Sequence, residues 1–302
     1  MPATASPPIT IKLGELELNV THPDKLLWPD VGITKLTYVR KLAELADSLL
    51  PHASGRYLTT IRYPEGIQGI SFYQKNIPPN APAYVPHSEN DGIRYIRLDS
   101  LPALLWLGSQ YALEFHASCE RIGEPLPDRW MLDIDPSLEE EPRLMEAVSL
   151  VLELLDSLGL SAVPKTSGAT GVQIVMPIEP GPTYDELREF GKFVSEYLAA
   201  SHPKLFTVER LKRNRGTLVY LDYLQFYPGR TLIAAYSPRA RPGAPVSAPL
   251  TREEVRSNAH PRDFHLLNMP ERIRRLGDLI GQHPKQPLGQ VLGQVLRMLP
   301  RR

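Results

Sequence analysis

A single cysteine, Cys119, occurs among the 302 residues. That excludes an internal disulfide framework and a zinc site built from several thiolates. Neither sign of charge prevails, with 34 basic side chains against 34 acidic ones. The chain therefore has no global pull toward nucleic acid, and any such surface must be local. The longest apolar stretch, LPALLWLGSQYALEF (101–115), is too short and too interrupted to span a bilayer. The start, MPATASPPIT, lacks a basic segment followed by an apolar run, so no secretory signal is expected. No lysine stands in a KxDG setting of the kind adenylating ligases use, and no His-x-His cluster suggests a phosphoesterase. Repeats and low-complexity linkers are also missing. These absences lead to the expectation of a soluble, cytoplasmic protein.

What is present supports a sizeable core. Hydrophobic residues make up 42% of the chain, and 31 prolines are spread along it, which implies stiff loops rather than disorder. Residues 10–20 alternate like a hairpin broken at Gly14. The stretch 32–52 has helical periodicity, with Thr34 as N-cap and Pro51 as terminator. Two strands joined by a Gly-containing turn are expected over 57–76, and a helix around 100–114. Further helices are expected over 143–160, over 183–202 with a Thr183/Glu186 capping box, and over 271–280. Strands are expected at 129–135, on both sides of a Gly-rich turn in 162–178, at 217–224 and at 231–237. The pattern predicts a mixed α/β chain.

The chemistry concentrates on the strands. DRWMLDIDPS (128–137) places Asp133 and Asp135 at i and i+2, so both point to one face while Leu132 and Ile134 point to the other. VYLDYLQ (219–225) adds Asp222. Three strand-borne carboxylates make a hard oxygen site suited to Mg²⁺ or Mn²⁺, and two such ions can serve a phosphoryl transfer. Three separate structural aspartates, paired with arginines or facing water, are the plainer reading. The turn in KTSGATGVQI (165–174) offers Lys165, the Ser167 hydroxyl, and backbone N–H groups freed by Gly168 and Gly171. Such a turn cradles an anion, although an ordinary hairpin turn uses glycines in the same way. It is not a P-loop, which would run GxxxxGK[ST] into a helix.

Taken in order, DRWMLDIDPS, PKTSGATGVQIVMPI and VYLDYLQ…TLIAAYSPRARPGAPVSAPL resemble the polymerase domain of bacterial ligase D. That domain is a primase-polymerase of the archaeo-eukaryotic primase superfamily used in non-homologous end joining. THPDKLLWPDVGITK (21–35) and RYPEGIQGISFYQKN (62–76) resemble the same family, so the likeness runs from about residue 15 to about 280. It implies an α/β (α+β) fold, a primase-like catalytic core of mixed or antiparallel sheets flanked by helices. It also implies a single domain over 1–302, with 1–14 and about 281–302 as peripheral tails.

The resemblance implies template-directed nucleotidyl transfer, with Asp133, Asp135 and Asp222 as catalytic metal ligands for two Mn²⁺ or Mg²⁺ ions. The incoming NTP or dNTP, with ribonucleotides favoured, would lie on Ser167, Gly168 and Gly171, with Lys165 alongside. Gln173 stands where the family commonly has histidine, and it can donate a hydrogen bond to phosphate but carries no charge. Arg239 and Arg241, in a stiff loop after the third carboxylate, would face nucleotide or primer phosphates. Lys25 and Lys35 would bind a DNA 5′-phosphate, Lys35 at a helix N-terminus. Phe72 and Tyr73 would lie against the template, and as strand neighbours at most one should stack while the other enters the core. Expected partners are gapped or broken DNA, a DNA ligase and Ku, at the nucleoid. A de novo primase and a non-catalytic end-bridging module are the competing readings. His116 reads as structural.

Overall fold

Alternation through RWMLDIDP makes Arg129–Pro136 a strand with Trp130, Leu132 and Ile134 buried and the carboxylates on the opposite face. In the computed structural model, which describes residues 6–298, this strand is the middle of a five-stranded sheet. The elements divide into two units, with the chain leaving and re-entering each of them.

The first unit holds residues up to Ser118, with 231–247 and 264–276. It opens with a hairpin, β1 (Ile9–Leu13) and β2 (Leu16–Val20), turning at Gly14, then a short pair, β3 (Leu26–Trp28) and β4 (Ile33–Thr34). Helix α1 (Lys35–Ala53) follows, and Thr34 caps it by accepting from Thr37 N at 3.2 Å. Pro51 lies within the last turn instead of terminating the helix. So near the end, a missing N–H removes one helical bond, and the chain continues to Ser54, whose N–H reaches Leu50 O at 2.8 Å.

Strands β5 (Leu58–Arg62) and β6 (Phe72–Gln74) are paired but separated by a long loop, and the hairpin β7 (His87–Asn90)–β8 (Ile93–Ile96) lies beyond them. Helix α2 (Leu101–Ser109) stops earlier than the periodicity predicts. Tyr111 adopts a left-handed φ of 66°, which breaks the helix, and Ala112–Ser118 runs on as strand β9. Alanine, leucine and phenylalanine over so short a run fit a buried strand as well as a helix.

The second unit holds 119–230, 248–263 and 277 onward. It contains β10 (Arg129–Pro136), α3 (Leu144–Ser157), β11 (Val163–Thr166), β12 (Val172–Pro177), α4 (Tyr184–Ser201), β13 (Phe206–Thr207) and β14 (Val219–Asp222). Its sheet runs β11-β12-β10-β14-β13, antiparallel except for the β13–β14 pair. The expected capping box opens α4, with Thr183 and Glu186 bonded reciprocally. Trp130 fixes this helix to the sheet. Its ring meets Phe190 edge-on at 5.2 Å, and its Nε1 donates to Leu187 O at 3.2 Å. Such an aromatic pair adds about 0.5–1.5 kcal/mol beyond the area it buries.

The chain then crosses back. β15 (Thr231–Ile233) completes the four-stranded antiparallel sheet of the first unit, ordered β15-β9-β5-β6. Helix α5 (Arg252–Arg256) belongs to the second unit, α6 (Met269–Leu276) to the first, and α7 (Leu288–Met298) to the second. The stretch after 281, expected as a peripheral tail, is bonded into its unit. Gln286 N donates to Pro177 O at 2.8 Å, and Leu288, Leu292 and Val295 are buried. No helix among the described residues is long and apolar enough to cross a membrane.

Candidate active site

The register of the five-stranded sheet decides which side chains meet. Asp133 on β10 lies directly opposite Asp222 on β14 and, on its other side, opposite Gln173 on β12. Gln173 in turn lies opposite Lys165 on β11. One cross-strand row therefore reads Lys165, Gln173, Asp133, Asp222. Directly opposed residues on neighbouring strands have Cβ atoms about 4.5–5.5 Å apart, so the two carboxylates at the end of this row are close. The next row on the same face pairs Asp135 with Tyr220. All three aspartates stand on one face in adjoining positions, while Asp135 has the arginine partner that the plainer reading expects.

Each carboxylate has its own local partners. Asp133 is pushed up to about 7 by burial and then by the charges of Asp135 and Asp222, against the pull of Lys165 and a hydrogen bond from Gln173. Asp135 Oδ2 accepts from Arg215 Nη1 at 3.1 Å. Asp222 Oδ1 accepts from Leu224 N at 3.0 Å and also bonds the Tyr220 hydroxyl, whose pKa is raised by burial and by the Asp222 charge. Arg215 is itself pinned: Nε donates to Glu209 O at 2.9 Å, Nη2 donates to Arg210 O at 2.7 Å, and the guanidinium stacks 3.8 Å from the Tyr220 ring centre. It anchors the basic stretch 209–215 beside Asp135.

Among the described residues, no three His, Cys, Asp or Glu side chains are gathered into a ready-made metal cage. Asp135 is drawn toward Arg215 and Asp222 toward its backbone and tyrosine partners. The donor set still fits a hard divalent cation. It is all oxygen, it lies on one rigid strand face, and the repulsion at Asp133 is what a cation relieves.

Next to this face the β11–β12 connection folds as a tight loop. Ala169 N and Gly171 N both donate to Ser167 Oγ at 3.2 Å, and Ser167 N donates to Gly171 O at 2.9 Å. Two loop N–H groups thus converge on the serine oxygen and hold its hydroxyl in place. Gly168 has a left-handed φ of 68°. At Gly171 any side chain would meet the Ile134 carbonyl oxygen at 2.6 Å, so the loop lies against β10 only because this residue is glycine. Lys165 and Gln173 do not reach out beside the loop. They are 2% and 4% exposed, and Lys165 Nζ donates to Gln173 Oε1.

The remaining expected residues all lie in the first unit. Lys25 and Lys35 share the face of Tyr111, 5.5 and 4.1 Å from its ring centre. Lys25 is paired with Glu65 at 2.7 Å. Lys35 is no surface lysine: it is 1% exposed and donates to Thr21 O at 2.8 Å. Burial, then the charges of Lys25 and Arg62, lower it to about 8. Phe72 and Tyr73 are 44% and 73% exposed, so neither enters the core. β6 is a three-residue edge strand, and both its faces stay open. Arg62 covers the Phe72 ring at 5.2 Å.

Arg239 is held by Glu114 at 3.4 Å, and Arg241 is exposed. Glu114 also accepts from His116 at 2.9 Å and from Ala240 N at 3.1 Å. Burial raises the Glu114 carboxyl, but these partners outweigh it and leave the group below its ordinary range. Sequence reasoning passed over three of these residues. Tyr220 shares the alternation of Asp222 and was readable from it. Arg215 stands in a basic run with no periodic signal, and Glu114 lies on the strand mistaken for helix.

Comparison with known proteins shows the family. The family model described as "LigD, primase-polymerase domain" matches residues 34–280, through both units. The chain is 35% identical over 288 residues to the Bifunctional non-homologous end joining protein LigD of Bacillus subtilis, covering 95% of this chain and 47% of that protein. It is 34% identical over 278 residues to the Multifunctional non-homologous end joining protein LigD of Pseudomonas aeruginosa, covering 88% and 32%. The chain thus spans about half, or less, of these relatives. Among solved structures it resembles the polymerase domain from Mycobacterium tuberculosis Ligase D in complex with DNA. That match has a TM-score of 0.81 at 29% identity, covering 88% of this chain and 99% of that one. The chain belongs to the LigD primase-polymerase domain family, which consists of nucleotidyltransferase-type enzymes.

Proposed function

We propose that this chain is a template-directed polymerase of the primase-polymerase type, acting as one domain on gaps and broken ends in DNA. The observation that carries the reading is the placement of Asp133, Asp135 and Asp222 on one sheet face beside the Ser167–Gly171 loop. A binding module has no use for three carboxylates where phosphates are to be held, so an enzyme is favoured over an end-bridging protein. The relative of known structure was captured with DNA, which supports DNA as the substrate here.

In this reading Asp133, Asp135 and Asp222 hold two Mn²⁺ or Mg²⁺ ions. Bound there, the ions would neutralise charge on the attacking and leaving oxygens of an in-line displacement. The chain's own part is positioning and electrostatics. The Ser167 hydroxyl, presented by the loop that turns at Gly168 and Gly171, receives the triphosphate. A primer 3′-oxygen attacks the α-phosphorus and pyrophosphate leaves. Arg241 offers an exposed guanidinium for phosphate, while Arg239 is held by Glu114. On the first unit, Lys25 supplies a reachable ammonium and Lys35 a fixed charge behind it for a DNA 5′-phosphate. Phe72 and Tyr73 offer exposed rings for base stacking, worth about 1–3 kcal/mol per base.

Ribonucleotides are the favoured substrate, and a DNA ligase and Ku are the favoured partners, both on the strength of the family likeness. The cytoplasm, at the nucleoid, is the place of action that follows. The test is extension of a labelled primer across a gapped duplex with ribo- or deoxyribonucleotides and Mn²⁺. Addition of the base that matches the template supports the reading. Binding of the duplex with no addition under any nucleotide would instead leave an end-binding protein.

A further inference from the structure

The expected job of Gln173 was to touch the triphosphate, yet its amide is used up inside the sheet. Its oxygen accepts from the Lys165 ammonium, and the amide also bonds the Asp133 carboxylate. An amide has one acceptor end and one donor end, so with the oxygen on Lys165 the NH₂ is what faces Asp133. Turning the amide over would set NH₂ against an ammonium and C=O against a carboxylate, two unfavourable contacts. Lys165 therefore fixes the orientation of Gln173. The register places the three residues directly opposite one another on β11, β12 and β10, and the first two are buried.

We propose that Gln173, locked by Lys165, is a positioning residue that holds one oxygen of Asp133 and sets the carboxylate for the divalent cation. The inference rests on the reading of the three aspartates as cation ligands. Without this bond, Asp133 has repelling carboxylates at Asp222 and Asp135 and no neutral donor on its β12 side. An amide held from behind supplies that donor without adding a charge. The same role sets what residue can stand there. A neutral imidazole also carries one acceptor and one donor, whereas leucine carries neither.

The test is binding of Mn²⁺ to the protein alone, read from the electron paramagnetic resonance signal of free Mn²⁺, with no nucleotide present. Variants are Gln173→Leu, Gln173→His, the pair Lys165→Met/Gln173→Leu, and Ser167→Ala. The pair exchanges a bonded polar couple for apolar side chains of similar size, so it tests the site even where a lone Gln173→Leu strands the buried lysine. At pH 8, Mn²⁺ affinity should fall at least tenfold in Gln173→Leu. The pair should also lose at least tenfold, because it too lacks the donor to Asp133, and it removes the direct pull of the Lys165 charge on that carboxylate as well. Gln173→His should stay within threefold of the wild type. Ser167→Ala should leave Mn²⁺ affinity unchanged while raising the nucleotide KM.

Unchanged Mn²⁺ affinity in the paired variant, with its nucleotide KM raised instead, would return Gln173 to the triphosphate and overturn the inference alone. Asp133→Ala in the same assay separates the two levels. If that variant still binds Mn²⁺ as the wild type does, the cation reading of the aspartates falls, and the inference with it.

Discussion

At Asp133 three demands meet: a place within the sheet, a neighbour of like charge directly opposite, and another two residues along the strand. Function accounts for this arrangement better than stability does. The folded protein raises the Asp133 carboxyl to about 7 through burial and the Asp135 and Asp222 charges, while an unfolded chain leaves it near the ordinary ~3.9. The folded state thus binds this proton more tightly. The stability it contributes is complete below about pH 4 and is lost as pH rises through about 7. With chelator present, Asp133→Asn should be the more stable protein at pH 7.5, and its melting temperature should lack the fall that the wild type shows between pH 5 and 7.5. Equal melting curves for the two proteins would mean the repulsion is absent.

The three aspartates were legible because alternation assigns a face without knowledge of the fold. Their order across the sheet was not, since it depends on pairing between strands far apart in sequence. For the same reason Lys165 and Gln173 read as loop residues when they are rungs of the row.

At the scale of elements, the β11–β12 loop and β10 depend on each other through Gly171. Adding a methyl group there places carbon 2.6 Å from a backbone oxygen, and backbone cannot step aside as a side-chain tip can. Gly171→Ala should cost roughly 1–3 kcal/mol by overpacking, read as a lower urea midpoint. It should also cut nucleotide incorporation at least tenfold by lifting the Ser167 loop off the carboxylate strand. A variant with wild-type midpoint and rate would show the contact to be slack. Capping residues placed the starts of two helices correctly, at Thr34 and Thr183. The strand Ala112–Ser118 was missed because a short run of apolar residues has no decisive period. With it went Glu114, the carboxylate that organises His116 and Arg239.

On the scale of the whole molecule, the carboxylate face and the lysine–aromatic surface belong to different units of one chain. Nothing in composition marks that division, because the chain passes between the units several times without a linker. The lysine surface has its own prediction. Lys35, lowered to about 8, is charged below that value and neutral above it. The preference for a gap with a 5′-phosphate over one without should therefore decline between pH 7 and 9, and Lys25→Ala/Lys35→Ala should abolish it. Titration of both gapped duplexes by fluorescence anisotropy decides this, and a preference that survives both lysine substitutions would place the phosphate elsewhere.

The proposed polymerase activity stands or falls on the paired aspartates in LDID. It is tested most directly by single-nucleotide addition to a primer on a gapped duplex with Mn²⁺, comparing the wild type with Asp133→Ala/Asp135→Ala. The wild type should add the nucleotide matching the template, while the variant stays folded, binds the duplex and adds nothing. Template-matched addition by the variant at the wild-type rate would show that the carboxylates are not the catalytic centre.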